Sequence, residues 1–124
     1  MNKDNLGSVN ITTNVLASIA AKAASEVEGV AFYKSNLEKQ AGIFLGLDTD
    51  RFFVTAKYDE DQVSIDIKIH VLFGYNVPKI AMKVQEKIKE QILFMTDLQV
   101  SQVNVHVESI ETSESLVGNG DVIG

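Results

Sequence analysis

The chain has 124 residues, enough for one domain, and its 45% hydrophobic and 23% charged content is that of an ordinary globular protein. A formal net charge of -6 argues against broad nucleic-acid binding, which needs a cationic surface. The absence of cysteine excludes disulfides, thiol catalysis and cysteine-ligated zinc.

The first residues, MNKDNLGSVNITTN, lack the apolar core of a signal peptide. No stretch approaches the ~20 apolar residues of a membrane span, so no direct membrane insertion is expected. Residues 9–11 are expected to form a short first strand. A helix follows, with Thr12 or Thr13 as N-cap and Leu16, Ile19, Ala20, Ala23 and Val27 on one face. Its alanines make that face thin. Gly29 offers a stop, and GVAFYK (29–34) is expected to be a second strand. Residues 35–51 are expected to be a partly structured loop.

A hairpin comes next. Phe52, Val54, Ala56 and Tyr58 share one parity, and the acidic 59–61 stretch makes the turn. Val63, Ile65, Ile67, Ile69, Val71 and Phe73 then alternate with Ser64, Asp66, Lys68 and His70, which predicts one dry and one wet face. At FGYNVPK, Gly74 supplies backbone freedom, Asn76 a cap and Pro78 a first helical turn. The single glycine matches neither the dinucleotide fingerprint nor the P-loop, so the stretch reads as a structural corner, not a phosphate cradle. The second helix carries the apolar stripe Ile80, Ala81, Val84, Ile88, Ile92 and Met95, and ends near residues 95–97. A last strand alternates through Val103, Val105 and Val107. The polar, glycine-rich residues 112–124 read as a flexible tail on a single domain of residues 1–111.

The element order is therefore β-α-β-β-β-α-β. Two long amphipathic helices need one apolar sheet face to cover, which predicts an α+β two-layer sandwich, a mixed β-sheet with both helices on one side. Chemistry is sparse. His70 and His106 fall on polar strand faces with Asp66, Asn104 and Glu108. They read as surface histidines, with a pH-sensitive or metal-binding cluster as the alternative. Lys79, Lys83 and Lys87 recur at i, i+4 spacing, and read as a wet helix face laced with Glu86 and Glu90 or as a landing strip for an acidic partner, RNA included. Lys68, His70 and His106 lie on the uncovered sheet face, a natural surface for self-association. No catalytic nucleophile, cofactor loop or metal-ligand set converges, so an enzyme is not expected.

Three stretches, SEVEGV, VSIDIKIHVLFGYNVPKIAMKVQEKIK and MTDLQVSQVNVHV, occur in an order that resembles the alkaline shock protein family of Gram-positive bacteria. The likeness runs from about Val9 to Ile110. It implies a small cytoplasmic, non-enzymatic protein without cofactors, linked to envelope stress and cell-wall homeostasis. It also implies self-assembly, a membrane-anchored protein partner or, alternatively, control of acetyl-CoA carboxylase in fatty-acid synthesis. GYNVP recurs in that family as a joint. Asp97 stands where the family often carries glycine, which implies a less relaxed helix exit here.

Overall fold

A computed structural model describes residues 7–31 and 54–112. The order is α1 (Thr13–Ser25), β1 (Val54–Asp59), β2 (Gln62–Leu72), α2 (Val77–Thr96) and β3 (Val100–Glu111). β2 is central: it runs antiparallel to β1 and parallel to β3, so the sheet is mixed. Both helices pack on one face, giving the expected α+β two-layer arrangement.

The strands follow from alternation. Val63, Ile65, Ile67, Ile69 and Val71 are all 0% exposed. Burying each contributes roughly 2 kcal/mol of transfer free energy. β1 and β2 are joined through Glu60 and Asp61, with Asp59 paired to Gln62. Both linking residues have positive φ, 50° and 71°, as a type I′ turn requires. The acidic stretch thus makes the turn expected of it.

α1 begins at Thr12, whose hydroxyl accepts from the Val15 amide. Leu16, Ala20, Ala23 and Ala24 are essentially sealed, and the small side chains of the three alanines let α1 lie close to α2 and β1. α2 buries Ile80, Val84, Ile88 and Ile92, one residue per turn. This is the expected stripe with one exception at each margin: Ala81 is half-buried and Met95 is 60% exposed. Met95 lies beyond the last turn that the sheet supports.

Other expectations need correction. Residues 9–11 form no strand; Val9 is 88% exposed, and no neighbouring strand among the described residues offers it a ladder. Of the strand expected at 29–34, the described part is a single antiparallel bridge from Val30 to Val71. It is held by the Ala31 amide on the His70 carbonyl (2.7 Å) and the Leu72 amide on the Gly29 carbonyl (2.8 Å). The described order is therefore α-β-β-α-β plus this bridge. Phe73 continues the dry parity of β2 but is 74% exposed, because the chain turns after Leu72. The expectations for 35–51, for Phe52 and for the tail from 113 lie outside the described residues.

Two β-bulges set the register of β3. Val63 pairs with Val100 but Ser64 with Gln102, and Ile69 pairs with Val107 but His70 with Ser109. Each skips one residue of β3, Ser101 and then Glu108. The second bulge moves Ser109 and Glu111 onto the face of His70, and Ile110 onto the helix-covered face. Glu108, expected beside Asn104, is the residue skipped.

Candidate functional site

The predicted site residues fall on two opposite layers. Lys68, His70 and His106 lie on the sheet face turned away from the helices, while Lys79, Lys83 and Lys87 project from α2. The two groups form no common cluster.

On the open sheet face, the parallel register sets Asp66 beside Asn104 and Lys68 beside His106. Asn104 Nδ2 donates to Asp66 Oδ1 at 3.0 Å, and His106 Nε2 stands 3.7 Å from the same oxygen. His70 Nδ1 lies 2.7 Å from Ser109 Oγ, which donates to Glu111 Oε2 at 2.9 Å. The Glu111 carboxylate is also 3.6 Å from His70 Nδ1. The histidines share a face, yet each has its own carboxylate: Glu111 for His70 and Asp66 for His106. Among the described residues no set of acids and histidines is grouped to hold a metal ion.

Ser109, His70 and Glu111 have the residue types of a hydrolytic triad but not its geometry. In a triad the base takes the serine proton on one ring nitrogen while the acid holds the other. Here serine and glutamate both approach Nδ1, and the serine proton is directed at Glu111. The arrangement ties the ends of β2 and β3 together. Ser109 and Glu111 were not foreseen as partners of His70, because unbroken alternation puts them on the other face.

The lysine row on α2 is not a uniform strip. Lys87 Nζ stands 4.0 Å from Glu26 Oε1, and Lys22 stands 3.8 Å from the other oxygen of that carboxylate, so Lys87 helps to dock α2 on α1. Lys79 and Lys83 are exposed.

The corner is built as expected. Gly74 has φ 102°, Asn76 Oδ1 accepts from the Lys79 amide at 2.9 Å, and Pro78 occupies the first turn. The sequence did not foretell what Tyr75 does. Its ring lies over Gly29, where a Cβ would sit 2.8 Å from Tyr75 Cδ2 and 2.7 Å from Ile80 Cδ1. Its hydroxyl donates to Glu28 Oε2 at 3.0 Å. That hydrogen bond, together with the Glu28 charge, raises the tyrosine pKa above its ordinary 10.0. Gly74, Tyr75, Asn76 and Pro78 thus clamp the chain leaving α1 against the start of α2.

At its other end α2 shows a different surface. Leu93 is 47% exposed, Phe94 81% and Met95 60%. Asp97 closes the helix in the left-handed conformation, φ 66°. No helix among the described residues is long and apolar enough to cross a membrane.

This fold, with its fixed joint, is that of a small α+β domain. Residues 1–112 match the alkaline shock protein 23 family, described by a cell envelope-related function, and the chain belongs to that family. The resemblance read from its three stretches is borne out. The chain is similar to YqhY of Bacillus subtilis, 36% identical over 86% of this chain and 78% of that protein. It is also similar to YloU of the same organism, 27% identical over 86% and 91%. A stress response regulator gls24 homolog of Streptococcus pyogenes is 28% identical over 87% of this chain, which spans 61% of that protein. Among solved structures, a point variant of the MamM CTD aligns over 79% of this chain and 98% of its own, with a TM-score of 0.48 and 15% identity.

Proposed function

We propose that the protein is a non-enzymatic interaction module that self-associates on the cytoplasmic side of the cell envelope. The observation that carries this reading is the state of β3. It is a 12-residue strand, and among the described residues no strand pairs with its outer edge. Between its two bulges it runs regularly from Gln102 to Val107, and it contains no proline, lysine or arginine, which together with bulges are what commonly discourages edge pairing. Its helix-side residues lose cover along their length: Val103 is buried, Val107 is 36% exposed and Ile110 48% exposed. A second copy laid along that edge satisfies the backbone groups and shields those side chains at once. The family's envelope-related function, and the approach of Ser109 and Glu111 to the same nitrogen of His70, support an assembling role over a catalytic one.

Sedimentation velocity on the full chain over a range of concentrations tests this. Wild type is expected to form concentration-dependent oligomers, and Val107→Lys, which sets a charge on the edge, to remain monomeric with its secondary structure intact. A wild-type protein that stays monomeric at the highest concentration overturns the reading.

A further inference from the structure

The C-terminal end of α2 combines three exposed apolar side chains with a carboxylate rim. From the geometry we infer that this end is a docking surface for a cationic amphipathic segment of a partner protein.

Ile92 is the last α2 residue in the core, and Leu93, Phe94 and Met95 follow it directly. Three consecutive helical residues point about 100° apart, so they cannot share one buried stripe. Phe94, 81% exposed, stands furthest in water. The three ring the tip of the helix, and exposed apolar side chains beside a groove mark an interaction surface more often than an isolated side chain does. Met95 borders a groove between the helices that Ser18, Ile19, Lys22 and Gln91 also line, so the apolar surface continues from the helix tip toward α1.

The rim decides what docks. Glu90 and Asp97 sit at i-4 and i+3 from Phe94, on the same helical face. Asp97 shares a second hollow with Glu60 and Asp61 of the β1–β2 turn, and Asp59 adjoins it. None of these five carboxylates has an ion-pair partner among the described residues. Lys22 on the groove wall is 3.8 Å from Glu26. A second copy placed tip to tip sets like charges together, and an anionic bilayer or a nucleic acid meets the same repulsion. A helix with Leu or Phe anchors flanked by Lys or Arg matches both features: anchors on Phe94, Met95 and the groove, and cations on the carboxylates. The hollow touches only the start of β3, at Ser101, whereas the self-association reading rests on Val107 and Ile110 toward the other end of that strand, so this inference does not depend on self-association.

The test is fluorescence anisotropy of the full chain with a labelled amphipathic Lys/Leu peptide, beside a Glu/Leu peptide of the same pattern. The Lys/Leu peptide is expected to bind and the Glu/Leu peptide not to. Phe94→Ser should weaken binding at least about tenfold. The combined Glu60→Gln, Asp61→Asn, Asp97→Asn variant should weaken it similarly and flatten its salt dependence. Glu108→Gln, on the bulge of β3, should leave it unchanged. Phe94 is exposed, so circular dichroism should show Phe94→Ser folded as wild type. No binding of the Lys/Leu peptide, or binding indifferent to Phe94→Ser, overturns the inference. So does a Phe94→Ser variant whose main effect is loss of oligomers, which makes the tip a contact between copies. Phe94-dependent binding to anionic vesicles overturns it as well.

Discussion

The two ends of α2 are put to opposite use. At the first end every feature restricts motion. Gly74 turns the chain, Asn76 caps the helix, Pro78 fixes its first turn, and Tyr75 closes over Gly29 to reach Glu28. At the last end apolar side chains stand in water and a carboxylate occupies a left-handed cap. Aspartate takes that conformation less readily than glycine, and a negative charge beside the terminal carbonyls opposes the helix dipole. Optimising stability alone would have placed glycine or a cation at Asp97. The first end thus fixes the fold, and the second keeps a costly surface.

The strongest way to break this contrast is at the joint. Gly29→Ala places a methyl group within 3 Å of Ile80 and Tyr75, on a residue with φ 102°. Strain and overpacking together should cost about 3 kcal/mol, read as a lower urea midpoint with an unchanged slope. A midpoint within error of wild type would mean that Tyr75 swings away freely and that the clamp is not rigid. Asn76→Ala removes one capping bond and should cost about 1 kcal/mol, separating the cap from the packing around it.

At the other end the sign reverses. Asp97→Gly should stabilise the protein by about 0.7 kcal/mol, by relieving both the left-handed strain and the dipole conflict. The same change removes one rim carboxylate, so it should weaken Lys/Leu peptide binding while it raises the urea midpoint. A gain in stability with no loss of binding would place the peptide elsewhere on the protein.

Much of this architecture is legible in the sequence. β2 announces itself through strict alternation, and α2 through its cap, its proline and its stripe, because local rules and tertiary packing agree there. Residues 9–11 misled because three residues of strand-like composition form a strand only when another strand receives them. The two bulges were legible in principle. Apolar residues of β3 fall at 100, 103, 105, 107 and 110, and the two intervals of three mark the two skipped residues. Reading the strand as unbroken alternation sent Ser109 and Glu111 to the wrong face and hid the partners of His70. The contact of Tyr75 with Glu28 joins residues 47 apart in sequence, and no local period carries that information. The exposure of Phe94, by contrast, was legible: it lies two residues past Ile92, about 200° round the helix and opposite the core stripe.

The finest probe of the joint is its response to alkali. The hydrogen bond to Glu28 and the charge of that carboxylate raise the Tyr75 pKa above its ordinary 10.0. A group whose pKa is higher in the folded state binds its proton more tightly there. Its contribution is fully present below the unfolded pKa, and is lost as pH rises through the folded value. The clamp should therefore loosen only at strongly alkaline pH, when the phenolate faces the Glu28 carboxylate. Tyr75→Phe should remove this component, so that its stability declines less steeply above pH 10.0 than that of wild type. Tyrosinate absorbance in the same titration should lose its contribution from Tyr75. Because Tyr75 is partly exposed, at 38%, the effect should be the smallest of the set and should shrink with added salt. If Tyr75→Phe and wild type follow the same curve, the hydroxyl only rests against Glu28. The ring over Gly29 would then be the whole of the clamp.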